Sequence, residues 1–153
     1  MSTAEKLHEI EQFFHRKIPL TGAMGIRVES YDGDQLVLTA PLEINHNHLG
    51  TAFGGSLGAI AMLAGYGLVW LMFGGREAHV VVRDAAISFR RPVRGELRAV
   101  CRQPDAAVVT AFKSNFSSDG SARIRLSVAI NDGRRVAATF EGTFVAMTSA
   151  NEG

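Results

Sequence analysis

The sequence contains almost no cysteine, since Cys101 is the only one in 153 residues. No disulfide can form within the chain, which is typical of proteins from a reducing intracellular compartment. The N-terminus also lacks the basic and then apolar stretch of a secretory signal peptide. Together these absences predict a cytoplasmic protein.

A strong charge of either sign is missing as well. Lysine and arginine number 16, aspartate and glutamate 15, and the resulting net charge of +1 gives no reason to expect nucleic acid as a partner. The sequence has no internal repeats, low-complexity tracts or linkers rich in proline, glycine or serine. We therefore expect one domain over residues 1–153, with its core between about 24 and 147.

What the sequence does contain is a series of short periodic segments. Residues 3–16 show the apolar spacing of an amphipathic helix that begins with the capping-box pair Ser2 and Glu5. The residue before Pro19 disfavours helical geometry, so we expect the helix to end there. Alternation of apolar and polar residues then predicts strands, which lie at 26–29, 36–40, 79–91, 97–102, 108–116, 122–130 and 134–147.

Three turn signals separate neighbouring strands. Asp32-Gly33-Asp34 lies between the first two strands, and Asp119-Gly120 and Asp132-Gly133 separate the last three. Asp-Gly pairs between alternating segments are typical of tight β-hairpins. The sequence therefore predicts an antiparallel sheet.

Residues 51–73 are 23 positions without a charged residue. A stretch of that length could cross a bilayer, and Gly54 with Gly58 has the GxxxG spacing of paired membrane helices. However, the flanking segments alternate like half-buried strands, and lysine and arginine show no clear asymmetry at the two ends. We favour a helix over about 53–73 that is buried on all sides by a curved antiparallel sheet, giving an α+β fold.

The residues at the start of this helix resemble a known signature. Asn47, Gly50 and Phe53-Gly54-Gly55 are similar to the Asn-x-x-Gly-x-x-[His/Phe]-Gly-Gly pattern of hot-dog acyl-CoA thioesterases. Further on, Ser88–Val93 resembles the family strand that ends in Arg-Pro-Val. The resemblance implies a hot-dog fold over about 24–147 and the activity of an acyl-CoA thioesterase.

A second resemblance concerns the tract Thr51–Leu57. It is similar to the thioesterase domain found fused behind GNAT-type acetyltransferase domains. This chain has no room for such a fusion partner, so we expect the hot-dog domain alone.

Thioester hydrolysis needs donors for a developing oxyanion and a group that orients or deprotonates water. Gly54 and Gly55 could supply backbone N–H donors at the helix start, although close helix–sheet packing is the alternative. The resemblance implies that Asn47 positions the attacking water or the thioester; a turn-forming asparagine is the alternative. His48, like His46 beside it, could act as a base near neutral pH, or it could simply be solvated.

The sequence departs from the family at the expected acid. That family usually carries Asp or Glu nine residues after the first position of the Phe-Gly-Gly motif, and Met62 occupies this position here. Methionine cannot act as a base. Tyr66 one turn on, Ser56 at the helix start and Asp84 on the next strand are candidate substitutes, although Asp84 could equally be exposed on the outer face of the sheet.

Coenzyme A carries phosphates that arginine side chains bind well. Arg90 and Arg91 at a strand end are the best candidates, whereas Arg98 and Arg102 more simply face solvent. The coenzyme A moiety would enter as part of the substrate, so no separate cofactor and no metal site are predicted.

The acyl group is expected to lie against apolar surface near the central helix, with Phe53 and Met62 among its contacts. Gly58, Gly65 and Gly67 lower the helix propensity of that segment. They could leave room for an acyl tunnel, but close contact with the sheet or a partner helix is the favoured interpretation.

The resemblance also implies a homodimer or homotetramer, because hot-dog subunits pair to make their sheets continuous. Acyl-carrier-protein thioesters are possible substrates besides acyl-CoA. A non-catalytic acyl-thioester binding module is the main alternative, since Met62 replaces the usual acid. A hydratase or dehydratase ranks lowest, because no histidine is paired with Asp or Glu at the usual spacing near the helix start.

Overall fold

The computed structural model of the protein describes residues 2–75 and 78–148. Within these residues the helices are α1 (Thr3–Lys17), α2 (Pro19–Ala23), α3 (Gly54–Met72) and α4 (Ala106–Asp119). The strands are β1 (Arg27–Tyr31), β2 (Gln35–Ala40), β3 (His79–Phe89), β4 (Leu97–Arg102), β5 (Ser121–Asp132) and β6 (Arg135–Met147). The predicted α+β class and the long central helix are confirmed.

The six strands form one antiparallel sheet in the order β1-β2-β4-β5-β6-β3. The turns at Gly33 and Gly133 join β1 to β2 and β5 to β6, as predicted, and both glycines have positive φ. Helix α3 connects β2 to β3, which three other strands separate. The helix therefore crosses the inner face of the sheet, where it packs against buried side chains such as Leu38, Cys101 and Phe144.

The N-terminal segment contains one helix more than expected. The capping box of α1 is present, with Ser2 and Glu5 exchanging hydrogen bonds of 3.2 Å. Pro19 follows the end of α1, but it also begins the short helix α2, where a proline at the first position loses no hydrogen bond. In α1, Phe13 stacks on Trp70 of α3 with ring centroids 4.0 Å apart.

The predicted strand over residues 108–116 is wrong, because this segment lies in α4. The buried residues Val109, Phe112 and Phe116 are spaced three and four apart, which is the period of a helix rather than of a strand. Gly120 has φ of 70° and caps the helix, so Asp119-Gly120 is a helix end and not a hairpin turn. Tertiary packing of one apolar face outweighed the strand propensity of the valines.

Helix α3 is not buried on all sides, which corrects the prediction from its composition. Its closed side, which includes Leu57, Ile60, Ala64, Gly65, Gly67 and Leu68, is buried against the sheet and α1. Its open side, which consists of Gly55, Gly58, Ala59, Met62 and Tyr66, is at least partly exposed. The helix is long and apolar enough to cross a membrane, but here it is the core helix of a sheet.

Strand β3 forms one edge of the sheet, and in the part of the chain that the structure describes it pairs only with β6. Val82 and Phe89 lie opposite the buried residues Phe144 and Ala138, so they belong to the inner face. Nevertheless they are 40% and 55% exposed, because the open side of α3 leaves the β3 edge of the sheet uncovered. An apolar edge strand is thus adjacent to an apolar side of the helix.

Candidate functional site

A cleft of about 370 Å³ lies where α3 begins, between the loop that precedes the helix and the segment that follows β3. Four of the predicted site residues line it together: Asn47, Gly54, Arg90 and Arg91. The remaining lining residues are Thr51, Ala52, Leu57, Phe89, Pro92 and Val93. Folding therefore joins the two sequence motifs that carried the resemblance.

Asn47 organises the loop that forms one wall of the cleft. Its Oδ1 accepts from the backbone N–H of Leu49 at 2.8 Å and of Thr51 at 3.2 Å, and its Nδ2 donates to the Thr51 hydroxyl at 2.9 Å. The side chain is therefore a turn former, as the alternative interpretation held. An amide nitrogen carries two hydrogens, so Nδ2 retains one donor for a ligand or water in the cleft.

Thr51 is a lining residue that the sequence interpretation missed. Its hydroxyl oxygen accepts the hydrogen bond from Asn47, which leaves the hydroxyl hydrogen to be donated elsewhere. The spacing of four residues from Asn47, inside the matched signature, is the signal that could have identified it. Asn47 and Thr51 thus present two polar donors side by side.

Hydrogen bonds at both ends of the loop that precedes α3 hold it in place. Asn45 is buried, and its Nδ2 donates to the carbonyls of Met24 at 2.9 Å and Pro41 at 2.8 Å. The Phe53 N–H donates to Asn45 O at 2.7 Å, and the Ala52 N–H donates to Val93 O at 2.9 Å. These bonds fix the approach of the chain to α3 before any ligand binds.

The N-terminus of α3 has no side-chain cap. Over residues 2–75 and 78–148, no acceptor is found for the N–H groups of Gly54, Gly55 and Ser56. These are orphan donors of a helix start, where the helix dipole also favours negative charge. Gly54 lines the cleft, so this positive end of the helix opens into it.

Packing explains one glycine of the pair better than the other. A Cβ on Gly55 would collide with the ring of Phe53, which is the N-cap residue and is 57% exposed. A Cβ on Gly54 would lie 3.4 Å from the Phe89 ring, which is an ordinary contact. Phe53 itself covers Gly55 and does not line the cleft.

The predicted bases of the loop and helix start lie beside the cleft rather than along its walls. His46 and His48 are exposed, and His46 Nδ1 is 2.8 Å from Asn47 O. Ser56 is partly exposed, and it does not line the cleft either. A catalytic role for His48 or Ser56 stays a prediction.

Asp84 lies on the outer face of the sheet. It lies directly after a bulge in β3, is exposed, and its Oδ1 is 3.6 Å from Arg125 Nη1. Arg125 also pairs with Glu141 at 3.0 Å on the same face. The structure thus gives Asp84 the placement of the alternative interpretation, and no carboxylate lines the cleft in the described part of the chain.

Met62 and Tyr66 line a second cavity, an apolar groove of about 240 Å³ between α2, the open side of α3 and the start of β3. Tyr66 is twelve residues beyond Gly54, which is about 18 Å along a helix axis, so it does not share the first cleft. Burial raises the pKa of Tyr66 above its ordinary value. The further lining residues are Ile18, Leu20, Thr21, Met24, Ala59, Leu63, Val80, Val81, Val82 and Phe144.

Arg91 lines the cleft, whereas Arg90 lines both the cleft and a groove on the outer face that Arg102 also lines. The N–H groups of Arg90 and Arg91 both donate to Ala137 O, at 2.8 and 3.0 Å, which fixes the backbone where their side chains line the cleft. Both residues are exposed, and within the described ranges no carboxylate pairs with either. Arg98 and Arg102 instead pair with Glu29 and Asp34, at 2.9 and 3.7 Å.

The sequence matches the family described as "Putative thioesterase (yiiD_Cterm)" over residues 7–148. This match covers nearly the whole chain, including the cleft and the apolar groove. It is independent of the geometry set out above, and it agrees with the motifs that line the cleft.

Solved structures show the same fold. A protein of unknown function from Chlorobaculum tepidum is 34% identical, with a TM-score of 0.88 over 97% of this chain and 98% of that one. A "putative thioesterase" from Shewanella oneidensis is 29% identical, with a TM-score of 0.84 over 94% and 99%. A "Probable Thioesterase" from Pseudomonas aeruginosa is 23% identical, with a TM-score of 0.78 over 92% and 95%, and this likeness concerns the fold alone.

Proposed function

We propose that this chain, which belongs to the putative thioesterase family matched over residues 7–148, hydrolyses acyl thioesters to a free acid and a thiol. Acyl-CoA is the first candidate substrate, and an acyl-carrier-protein thioester is the second. The observation that carries the proposal is the uncapped start of α3, which opens into a cleft beside Asn47 and Thr51.

The helix start would stabilise the charge that develops on the thioester carbonyl oxygen. When water attacks the carbonyl carbon, this oxygen becomes an oxyanion, and preorganised N–H donors stabilise it. The N–H group of Gly54, which lines the cleft, is such a donor, and the N–H group of Gly55 follows it at the helix start; neither need break an existing hydrogen bond to act. As the intermediate collapses, the carbon–sulfur bond breaks, and the leaving thiolate takes up the proton that the attacking water gives up.

The attacking water would be held by Asn47 and Thr51. The free hydrogen of Asn47 Nδ2 can donate to the water, and the remaining lone pair of the Thr51 hydroxyl oxygen can accept one of its hydrogens, which leaves a lone pair of the water for the attack. They can orient a water molecule, but neither residue is a base at neutral pH. With no carboxylate lining the described cleft, the proposed catalysis depends on positioning and oxyanion stabilisation.

Arg90 and Arg91 support a substrate with a phosphorylated carrier. Both are exposed at the rim of the cleft, without a carboxylate partner in the described residues. Guanidinium groups bind phosphates through paired hydrogen bonds. Coenzyme A carries several phosphates, so we propose it as the carrier, within the cytoplasmic location predicted from the sequence.

A homodimer is the proposed assembly. The apolar inner face of β3 and the open side of α3 are exposed together, and an unpaired edge strand is a site for pairing with another chain. Pairing of two β3 strands would make the sheets continuous and cover both surfaces. Light scattering coupled to size exclusion would give twice the 16.5 kDa chain mass for a dimer and a fourfold mass for a tetramer.

Free-thiol release tests the activity directly. The purified protein is assayed with acyl-CoAs from acetyl to palmitoyl, alongside Asn47→Ala, which removes the Nδ2 donor without adding a carboxylate to the cleft. We expect turnover by the wild type and a loss of about 100-fold in kcat for the variant, similar to removal of one transition-state donor. Asn115→Ala, on the exposed face of α4, is the matched control and should keep full activity.

A non-catalytic binding module is the alternative that one observation favours. Met62 stands at the usual acid position, and no carboxylate lines the cleft in the residues described. Calorimetric binding of acyl-CoA, without thiol release on any substrate, would establish the module and exclude the thioesterase.

A further inference from the structure

The outer face of the sheet carries a groove of about 530 Å³. Outward-facing residues of β4, β5 and β6 form its floor, where Val100 lies opposite Ala129 and Ala129 lies opposite Thr139. None of these three side chains is charged, and each is only partly exposed. The volume is within the range of small-molecule sites in proteins, so the groove can hold a ligand.

Two arginines border this floor on opposite sides. Arg102 lies two residues beyond Val100 on β4. Arg90 follows β3, and its N–H donates to the carbonyl two residues before Thr139 on β6. Because β4 and β6 both pair antiparallel with β5, they run in the same direction, and the two arginines lie on either side of the uncharged row. Arg90 also lines the cleft, so the groove begins where the cleft ends.

Both guanidinium groups can bind an anion. Among residues 2–75 and 78–148, no carboxylate pairs with Arg90. Arg102 Nη2 donates to Gln35 Oε1 at 2.9 Å, and its Nε is 3.7 Å from Asp34 Oδ2. Such a long, exposed ion pair is weak, and a guanidinium group has further N–H donors. The side chain of Arg102 is 70% exposed, so these donors are accessible.

The carboxylate of Glu141 also lines the groove, but it has its own cation. Its Oε2 accepts from Arg125 Nη2 at 3.0 Å. The hydroxyl groups of Ser127 and Thr139 are further polar groups of the lining. An uncharged floor with hydroxyl groups and an arginine on each side suits a flat ring that carries phosphates at both ends, because guanidinium groups match phosphate geometry.

We propose that this groove binds the nucleotide of coenzyme A, with the diphosphate at Arg90, the adenosine over Val100 and Ala129, and the 3′-phosphate at Arg102. The inference rests on the proposed function, because the cleft must hold the thioester for the diphosphate to meet Arg90. The nucleotide then lies on the outer face of the sheet, away from the surfaces that the proposed dimer covers. Arg102 distinguishes acyl-CoA from carriers that lack a 3′-phosphate, including the phosphopantetheine arm of an acyl-carrier protein.

The test uses one acyl group, that with the highest wild-type turnover, on three carriers. These are coenzyme A, dephospho-coenzyme A, which lacks only the 3′-phosphate, and pantetheine, which lacks the whole nucleotide. We expect Arg102→Gln to raise KM for the coenzyme A thioester by about tenfold, since a hydrogen bond between charged groups contributes on this scale, and to leave the other two thioesters unchanged. Arg135→Gln, at the β5–β6 turn, removes the same charge outside the groove and should leave all three unchanged.

A second variant fills the floor of the groove without changing its charge. Ala129 faces outward between Val100 and Thr139, so Ala129→Phe places a ring where the adenosine would lie. We expect KM to rise by about tenfold for the coenzyme A and dephospho-coenzyme A thioesters, because a blocked site loses contacts worth at least this much discrimination. The pantetheine thioester, which has no nucleotide, should be hydrolysed as by the wild type.

No loss in either variant, an equal loss on all three carriers, or a loss in Arg135→Gln as large as in Arg102→Gln would overturn the inference while leaving the thioesterase in place. A change in the mass of the assembly in Ala129→Phe would also overturn it, because the groove would then face a second copy of the chain. If the wild type hydrolyses none of the thioesters, the proposed function fails first. Calorimetric binding of adenosine 3′,5′-bisphosphate that Arg102→Gln weakens would still support the groove, and no binding by the wild type would overturn it.

Discussion

The closed and open sides of α3 belong to one helix, but different requirements determine their residues. On the closed side, Gly65 and Gly67 are glycines because the rings of Phe144 and Phe14 occupy the space of a Cβ. On the open side, Gly58 meets nothing, and Met62 is 40% exposed although the helix carries no charge. The closed side specifies the fold, whereas the open side borders the surfaces proposed for substrate and partner.

Replacing a glycine by alanine on each side of α3 should show the difference between the two sides most strongly. Gly65→Ala should destabilise the protein by about 2 kcal/mol, because Phe144 is fully buried and cannot retreat from the added methyl. Gly58→Ala should instead stabilise it by up to about 1 kcal/mol, since the methyl meets no neighbour and alanine favours the helix. Urea unfolding of both variants measures the difference, and equal shifts would show that the two sides are packed alike.

Cys101 offers a pH probe of the closed side. Burial raises the pKa of its thiol from 9.0 to about 12, so the folded protein holds this proton more tightly than the unfolded chain. The resulting stability is fully present below pH 9 and is lost as the pH rises towards 12, by about 1.4 kcal/mol per pH unit. The free energy of unfolding is measured against pH for the wild type and Cys101→Ala, and the difference between the two curves should show this slope. A flat difference curve would mean that water reaches the thiol.

A cap on the uncapped start of α3 should give a small change in stability. Phe53→Asp places a carboxylate that can accept from the N–H groups of Gly55 or Ser56, which should stabilise the protein by about 1 kcal/mol. The same carboxylate would compete with the proposed oxyanion, so thioester turnover should fall. Thermal melting and thiol release are measured together, with Phe53→Ala as the variant that removes the ring without adding a cap. Equal activity of the Asp and Ala variants would argue that these N–H groups do not act in catalysis.

Local patterns were sufficient to predict most of the secondary structure. The capping box of α1, the turns at Gly33 and Gly133 and the uncharged run of α3 each depend on neighbouring residues. Residues 108–116 could not be assigned in this way, because valine-rich segments fit a strand as well as a short helix. The packing of Phe112 and Phe116 against Phe73 at the end of α3 favours the helix.

The candidate site was predictable only where a motif is continuous or matches a family signature. Asn47, Gly54, Arg90 and Arg91 come together in the cleft, although their roles stay predictions. The open side of α3 was not predictable, because composition does not show how far a sheet curls around a helix. The separation of Tyr66 from the cleft likewise requires the helix to be placed first.

The strand order has a consequence for how this chain is made. Strand β3 pairs only with β6 among the described strands, and β6 is the last of the six in sequence order. During synthesis, more than a third of the sequence must therefore be translated after the apolar strand β3 before its partner β6 is complete. A ribosome that stalls within α4 or β5 would present β3 with both edges unpaired. Nascent chains of this protein should thus depend on chaperone protection most strongly between the completion of β3 and the release of β6.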